Sequence, residues 1–371
     1  MTPPPLLVMH VIPGLGTGGA EHMLATLVAA QRRKPYRQVV VNLLRGGANA
    51  DRIRAAGVEL IELGMRHPVM LPFAIVRLAL IIRRMQPDAI QSWLYYGDLC
   101  ATAALALSGR RPVTRLYWGV RCSDMDLSRY HWVLRQAIAL CAKLSGRPDA
   151  VIANSFAGRD VHRQLGYQPR AFPVIPNGID TVRFKPDAVA RQRIRAELGI
   201  ADDRPLVIHV ARVDPMKDHA SLLAAARALP NATFVLVGAR TETLETPDNM
   251  IALGARTDMP ALYAAADIAV SSSAFGEGFS NAIAEAMASG VAAIATDVGD
   301  AAAIIGAAGR LVPPRDTAAL RDAIVALLAE PPTARKARGL AGRDHIERTF
   351  SLDRAVNNFD RLFVHGTIPE E

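Results

Sequence analysis

Two carboxylates separated by seven residues, Glu277 and Glu285, stand in the stretch "SSSAFGEGFSNAIAEAMASG", residues 271–290. A Gly-Glu-Gly turn leads from a strand-like run into a helix expected from about Asn281 to Ser289, which Gly290 stops as a natural left-handed C′ residue. The amides of Gly278, Phe279, Ser280 and Asn281 and the positive end of that helix make a place for an anion. Glu285 is the odd residue of the helix, because Ala282, Ile283, Ala284, Ala286, Met287 and Ala288 are apolar on every side of it. A helix apolar all round is buried, and a buried carboxylate needs a partner. A ribose diol would satisfy both its oxygens; so would a core arginine or backbone amide.

A second group lies upstream in "VARVDPMKDH", where Arg212 and Lys217 bracket a proline-containing turn after a strand. Paired cations of this kind neutralise a diphosphate, Arg by its planar fork and Lys as a point charge. Alone they would read as a solvated surface pair. Beside Glu285 and the helix start they predict a nucleoside diphosphate with something attached.

A third feature is "HVIPGLGTGGAEHM", in which Gly14, Gly16 and Gly19 fit the GxGxxG spacing of a dinucleotide loop. An NAD site wants an acidic residue at the end of the second strand to hold the ribose. Here "VVVNLL" runs into Arg45 and Gly46, which excludes simple NAD binding but would accept the extra phosphate of NADP. Glycines needed only for a tight turn are the bland alternative.

The elements that must position these groups follow a regular pattern. Strands are expected at 6–12, 37–44, 58–63, 88–93, 112–118, 149–155 and 172–177, with helical stretches between the earlier ones. Beyond the turn-rich "PNGIDTVRFKPD" the pattern restarts, with strands at 205–211, 232–238, 250–254, 268–273, 292–297 and 309–313. Short Val/Ile-rich runs alternating with helices describe parallel sheets covered on both faces, so the expectation is α/β, with two Rossmann-like domains in series. The boundaries expected are 1–180, 181–350 and a last helix from 351–371.

The composition agrees with a globular protein: 371 residues, half of them hydrophobic and 21% charged. No run is apolar for long enough to span a bilayer, and the N-terminus has no basic n-region, so a cytoplasmic location is expected. Three cysteines without ligand spacing argue against a disulfide framework and a zinc site. The net charge of +8 is uneven, with +11 in residues 1–180 and −3 in the rest. An anionic membrane surface or an acidic acceptor explains that better than nucleic acid, for which no recognition motif is present. The helix within "MRHPVMLPFAIVRLALIIRRM", flanked by Arg66, Arg83 and Arg84, reads first as a buried sheet cover and second as an interfacial helix. In "QSWLYYGD", Trp93, Tyr95 and Tyr96 follow a strand end, where aromatic faces can seat a sugar or a lipid stem.

Taken jointly, "EGFSNAIAE", "ARVDPMKDH", "PNGID", "GGAE" and "TDVGDAA" resemble, in their order, the motifs of retaining glycosyltransferases of family four, over Val8 to about Phe363. The resemblance implies the GT-B fold, two facing Rossmann-like domains with a cleft between them, and a last helix crossing back to the first domain. It implies that Glu277 faces the sugar of a nucleotide-diphosphate sugar, such as a UDP- or GDP-sugar, and that Glu285 binds the ribose. Arg212 and Lys217 then hold the diphosphate with the amides of Gly278, Phe279 and Ser280, and Gly18 and Gly19 face the donor. Base contacts are expected near Leu253 to Arg256. No metal is required and there is no cofactor beyond the co-substrate; Asp124 and Asp126 of "CSDMDLS" are a weak metal pair. The activity implied is hexosyl transfer to a saccharide or lipid-linked saccharide, with surface polysaccharide, lipopolysaccharide or glycolipid synthesis as its setting and a peripheral seat on the inner face of the membrane. Trp93, Tyr95 and Arg121 would lie on the acceptor side, with Arg121 or Cys122 standing where many relatives have a His. A nucleotide-sugar epimerase and an NADP-dependent reductase are the alternatives.

Overall fold

The computed structural model describes residues 5–31, 34, 36–67, 70–121 and 131–367. The chain divides into two compact units, residues 1–178 with 353–371, and residues 179–352.

In unit 1 the strands β1 (Leu7–Ile12), β2 (Arg37–Asn42), β3 (Glu59–Glu62), β4 (Ala89–Ser92), β5 (Arg115–Val120) and β6 (Ala150–Ala153) form one parallel sheet ordered β3-β2-β1-β4-β5-β6. The helices α1 (Gly19–Ala30), α2 (Ala50–Ala55), α3 (Leu71–Met85), α4 (Leu94–Ser108), α5 (Trp132–Leu144) and α6 (Phe156–Gln164) alternate with them. Strands buried on both faces read as continuous apolar runs, and β1 is buried at every position. The run 172–177 is the exception to the expected pattern. It lies alongside β6 through a single bridge, Val174 to Ala153. Pro173 and Pro176 remove two ladder donors there, so no strand forms.

Unit 2 repeats the plan. β7 (Leu206–Val210), β8 (Thr233–Val237), β9 (Met250–Ala252), β10 (Ile268–Ser271), β11 (Ala292–Thr296) and β12 (Arg310–Val312) give the order β12-β11-β10-β7-β8-β9. The helices are α7 (Ala188–Glu197), α8 (His219–Arg227), α9 (Met259–Ala265), α10 (Asn281–Ala288), α11 (Ala301–Ile305), α12 (Thr317–Ala329) and α13 (Pro332–Thr349). Both sheets therefore reverse strand order beside their first strand, between β1 and β4 and between β7 and β10. Ligands of such sheets bind at that reversal, outside the carboxyl ends of the strands.

The last helix, α14 (Leu352–Asp360), followed by a π turn over Arg361–His365, belongs to unit 1 from Asp353 onward. Its Phe363 packs on His10, Tyr36 and Tyr117, and Arg115 donates to the Phe363 carbonyl at 2.6 Å. Asp360 accepts from Gln31 Nε2 at 3.1 Å and from Tyr36 Oη at 2.5 Å, and pairs with Lys34 at 2.6 Å. Asp360→Ala strands two of these partners in a half-buried site, so a loss of about 2 kcal/mol is expected, read as a lower urea midpoint for unit 1.

Candidate functional site

Unit 2 gathers its polar groups at the strand reversal. Beyond β7 the chain makes a short 3₁₀ turn, Pro215–Lys217, started by Asp214, whose Oδ1 accepts from the Met216 amide at 3.1 Å. Asp218 then takes a left-handed conformation, φ 44°, and caps α8 by accepting from the Ser221 amide at 3.2 Å. This turn is laced to the loop after β10: Ser272 Oγ donates to the Lys217 carbonyl at 2.7 Å and the Ala274 amide to the Met216 carbonyl at 2.7 Å. The lacing brings Lys217 Nζ into a close ion pair with Glu277 Oε2, which also accepts from Ser273 Oγ at 3.0 Å.

The backbone of that carboxylate is buttressed from a third loop. The Asp300 amide donates to the Gly278 carbonyl at 3.0 Å. Gly299 sits at φ +64°, and a Cβ on it would fall 1.9 Å from the Glu277 carbonyl oxygen, so only glycine fits. Below the Lys217 turn, the rings of His209 and His219 meet edge to face at 5.0 Å. Burial pushes His209 down to about 3, and its Nδ1 donates to the Val270 carbonyl at 2.9 Å. Ser273, Gly299 and this histidine pair escaped the reading of the sequence; Gly299, inside "TDVGDAA", was the one with a visible signal.

Ser280 holds the N-cap position of α10 without a side-chain capping bond, and its side chain and that of Phe279 are buried. The Phe279 ring packs on Phe350 at 5.2 Å, which leaves its backbone as the part available to an anion. One turn into α10 stands Glu285. Among the described residues its carboxylate has no ion pair within 4 Å; Tyr263 Oη donates to Oε2 at 3.4 Å. Burial raises it to about 7, with the charge of Arg183 pulling weakly the other way. The core pairing allowed by the sequence is thus reduced to one long phenol contact.

That shift has a consequence for stability. The unfolded chain releases the Glu285 proton near the ordinary carboxylate value while the folded chain holds it to about 7, so folding loses stability as pH climbs through that window. Glu285→Gln should remove the loss: in urea titrations the variant is expected to gain on the wild type between pH 5 and pH 8, by up to roughly 3 kcal/mol.

Two of the expected cations make ion pairs within unit 2. Arg212 is mostly exposed and pairs with Asp214 at 2.9 Å. Arg256, expected near the base of the donor, is held by the protein: Nε and Nη2 donate to Asp258 at 2.8 and 2.7 Å, and Nη1 donates to Glu197 at 3.0 Å, which ties the β9–α9 loop to α7.

In unit 1 the glycine-rich loop runs from β1 into α1, with Gly18 as N-cap and Gly19 as first helical residue. A second loop holds it. Asn49 Nδ2 donates to the Gly16 carbonyl at 2.5 Å, and Gly47, at φ +117°, lies so close to Leu15 that a Cβ would fall 2.3 Å from its carbonyl oxygen. The Gly46 amide donates to Glu62, whose other oxygen pairs with Arg54 at 2.9 Å.

The aromatic residues at the β4 end correct the expectation placed on them. Because α4 starts at Leu94, directly after the strand, Trp93 and Tyr95 turn inward and are buried, and neither offers a face to a sugar. Trp93 Nε1 donates to His10 Nδ1 at 3.3 Å, and Tyr95 bonds His162 Nε2 at 2.9 Å. Trp93 is instead the bed of Arg121, whose guanidinium lies 4.4 Å from its ring centroid. Arg121 Nη1 donates to Asn177 at 3.1 Å, and burial lowers its pKa to about 9. It is no ordinary surface arginine. Cys122, Asp124 and Asp126 lie outside the described residues.

The fold is that of the GT-B class, two units each built on a six-stranded parallel sheet. A family model described as glycosyltransferase family 4 matches residues 17–183, and one described as glycosyl transferases group 1 matches residues 204–330, so each unit matches a glycosyltransferase model. The chain is 33% identical over 207 residues to a D-inositol 3-phosphate glycosyltransferase of Nocardia farcinica, an alignment covering 49% of this chain and 45% of that protein. It spans about half the length of the relatives of that kind that it matches. A GDP-mannose-dependent alpha-(1-6)-phosphatidylinositol monomannoside mannosyltransferase of Mycobacterium tuberculosis is 28% identical over 335 residues, 83% of this chain and 84% of that one. Among solved structures, HepE of Anabaena in complex with UDP and glucose superposes with a TM-score of 0.82 at 20% identity, over 97% of this chain and 100% of that one, which shows the fold.

Proposed function

We propose that this chain is a metal-independent, retaining glycosyltransferase that moves a hexosyl group from a nucleotide-diphosphate sugar to a saccharide or lipid-linked saccharide. The observation that carries this reading is the joining of Lys217 to Glu277 at the strand reversal of unit 2, in the loop that leads into α10, where the sparsely bonded Glu285 carboxylate stands one turn into the helix. The ribose diol donates two hydrogen bonds to Glu285. Lys217 and the amides that open α10 take the diphosphate, and Glu277, held by Lys217 and Ser273, accepts from the hydroxyls of the sugar. As the bond from the anomeric carbon to the phosphate oxygen breaks, negative charge grows on the diphosphate, where a fixed cation and amides stabilise it most. The acceptor hydroxyl forms the new bond on the same face and passes its proton to the departing phosphate oxygen, so the protein supplies position and charge.

UDP in HepE and GDP-mannose in the mycobacterial relative support a nucleotide sugar as donor. The setting is surface polysaccharide or glycolipid synthesis, with the protein in the cytoplasm and seated peripherally on its membrane through unit 1; among the described residues no helix is long and apolar enough to cross one.

The test is a transfer assay with UDP- and GDP-sugars in the presence of a chelator, with the product's anomeric proton read by NMR. Transfer with the donor's configuration kept is expected. Transfer abolished by the chelator and restored by a divalent cation, or an inverted anomer, would refute the mechanism.

A further inference from the structure

The helices α3, α4 and α5 cover one face of the unit 1 sheet, since Leu78, Leu105 and Ile138 share a buried core with Met9 and Val41. Their outward side is unusual in two respects. It shows large apolar residues: Phe73, Val76 and Leu80 form a stripe along α3 at 59%, 50% and 62% exposure, and Leu107 on α4 and Trp132 on α5 are 64% and 65% exposed. The interfacial reading of this segment, the second choice from sequence, thus gains a surface, because only one side of α3 is buried.

The same layer carries charge of one sign. Arg83 and Arg84 end α3 and Arg135 and Lys143 stand on α5, all exposed, while neither helix contains an acid. The one acid of α4, Asp98, is buried and bonded to Ser92 at 2.6 Å. An apolar stripe with a cationic rim does not suit a second copy of itself, since the two rims would repel. A nucleic acid would leave the stripe in water. An anionic lipid bilayer matches both features, taking the apolar side chains into the acyl boundary and the cations at the headgroups.

We infer that the outward face of α3, α4 and α5 seats the protein on an anionic bilayer, with Phe73, Leu80 and Trp132 entering the interface. This deepens the proposed function, resting on its view of a lipid-borne acceptor, yet is tested without any sugar. Trp93 and Trp118 are fully buried and Trp132 is exposed, so Trp132 reports on the surface by itself. Mixed with phosphatidylglycerol vesicles, the full chain should show a blue shift of tryptophan emission and quenching by brominated lipid, both lost in Trp132→Phe. Phe73→Ser with Leu80→Ser, and separately Arg83→Glu with Arg84→Glu, should each weaken cosedimentation at least tenfold, and high salt should release the protein. Three results would overturn the inference: no shift, equal binding to phosphatidylcholine, or a solution dimer that Leu80→Ser dissociates. None of them would touch transfer to a soluble acceptor.

Discussion

Lys217→Ala is expected to lower kcat/KM about a thousandfold. At the β7–β10 reversal the ammonium is held inside the site by its pair with Glu277, while Arg212 is turned to Asp214 and mostly exposed. A positioned donor aimed at developing charge contributes roughly 10²–10³ in rate, and a full cation at a departing phosphate reaches higher. The effect should fall mainly on kcat, because the charge grows in the transition state. Glu277 loses its ion partner in the variant, so the urea midpoint must be measured beside the rates. Glu277→Gln keeps the size and the contact with Ser273, and is expected to lose roughly a hundredfold with donor affinity less changed, since only part of its role lies in the transition state.

Glu285→Ala is expected to weaken nucleoside diphosphate binding about a hundredfold. Two hydrogen bonds from a ribose diol to a carboxylate are worth about 3 kcal/mol together, and the site offers that carboxylate little besides the Tyr263 hydroxyl at 3.4 Å. A proton on Glu285 competes with the diol. Since its pKa is lifted to about 7, nucleotide affinity should rise between pH 6 and pH 8 and then level off. Glu285→Gln should keep part of the affinity and lose that pH dependence, which separates ligand contact from a structural role.

The features legible in the sequence were those carried by local pattern. Apolar runs such as "VVVNLL" marked the strands, and the apolar pattern of residues 282–288 marked α10, although Ala282 and Glu285 are half-buried and the helix is not enclosed on every side. What failed depended on partners far along the chain. Tyr95 is held inside by His162, 67 residues away, and no local signal shows that pairing. Trp93 reads like a loop aromatic until Phe359 of α14 arrives to stack on it. The run 172–177 has strand-like composition, and its two prolines were the warning. In α3 the apolar residues were too numerous for sequence alone to divide them between core and surface.

The most direct test is calorimetric titration of UDP, GDP, CDP and NADP into the chain and into Glu285→Ala, with a chelator throughout. Tight binding of one nucleoside diphosphate, lost in the variant, is the predicted result and names the base of the donor. Binding of NADP alone, indifferent to Glu285→Ala, would contradict it and return the glycine-rich loop of unit 1 to a dinucleotide.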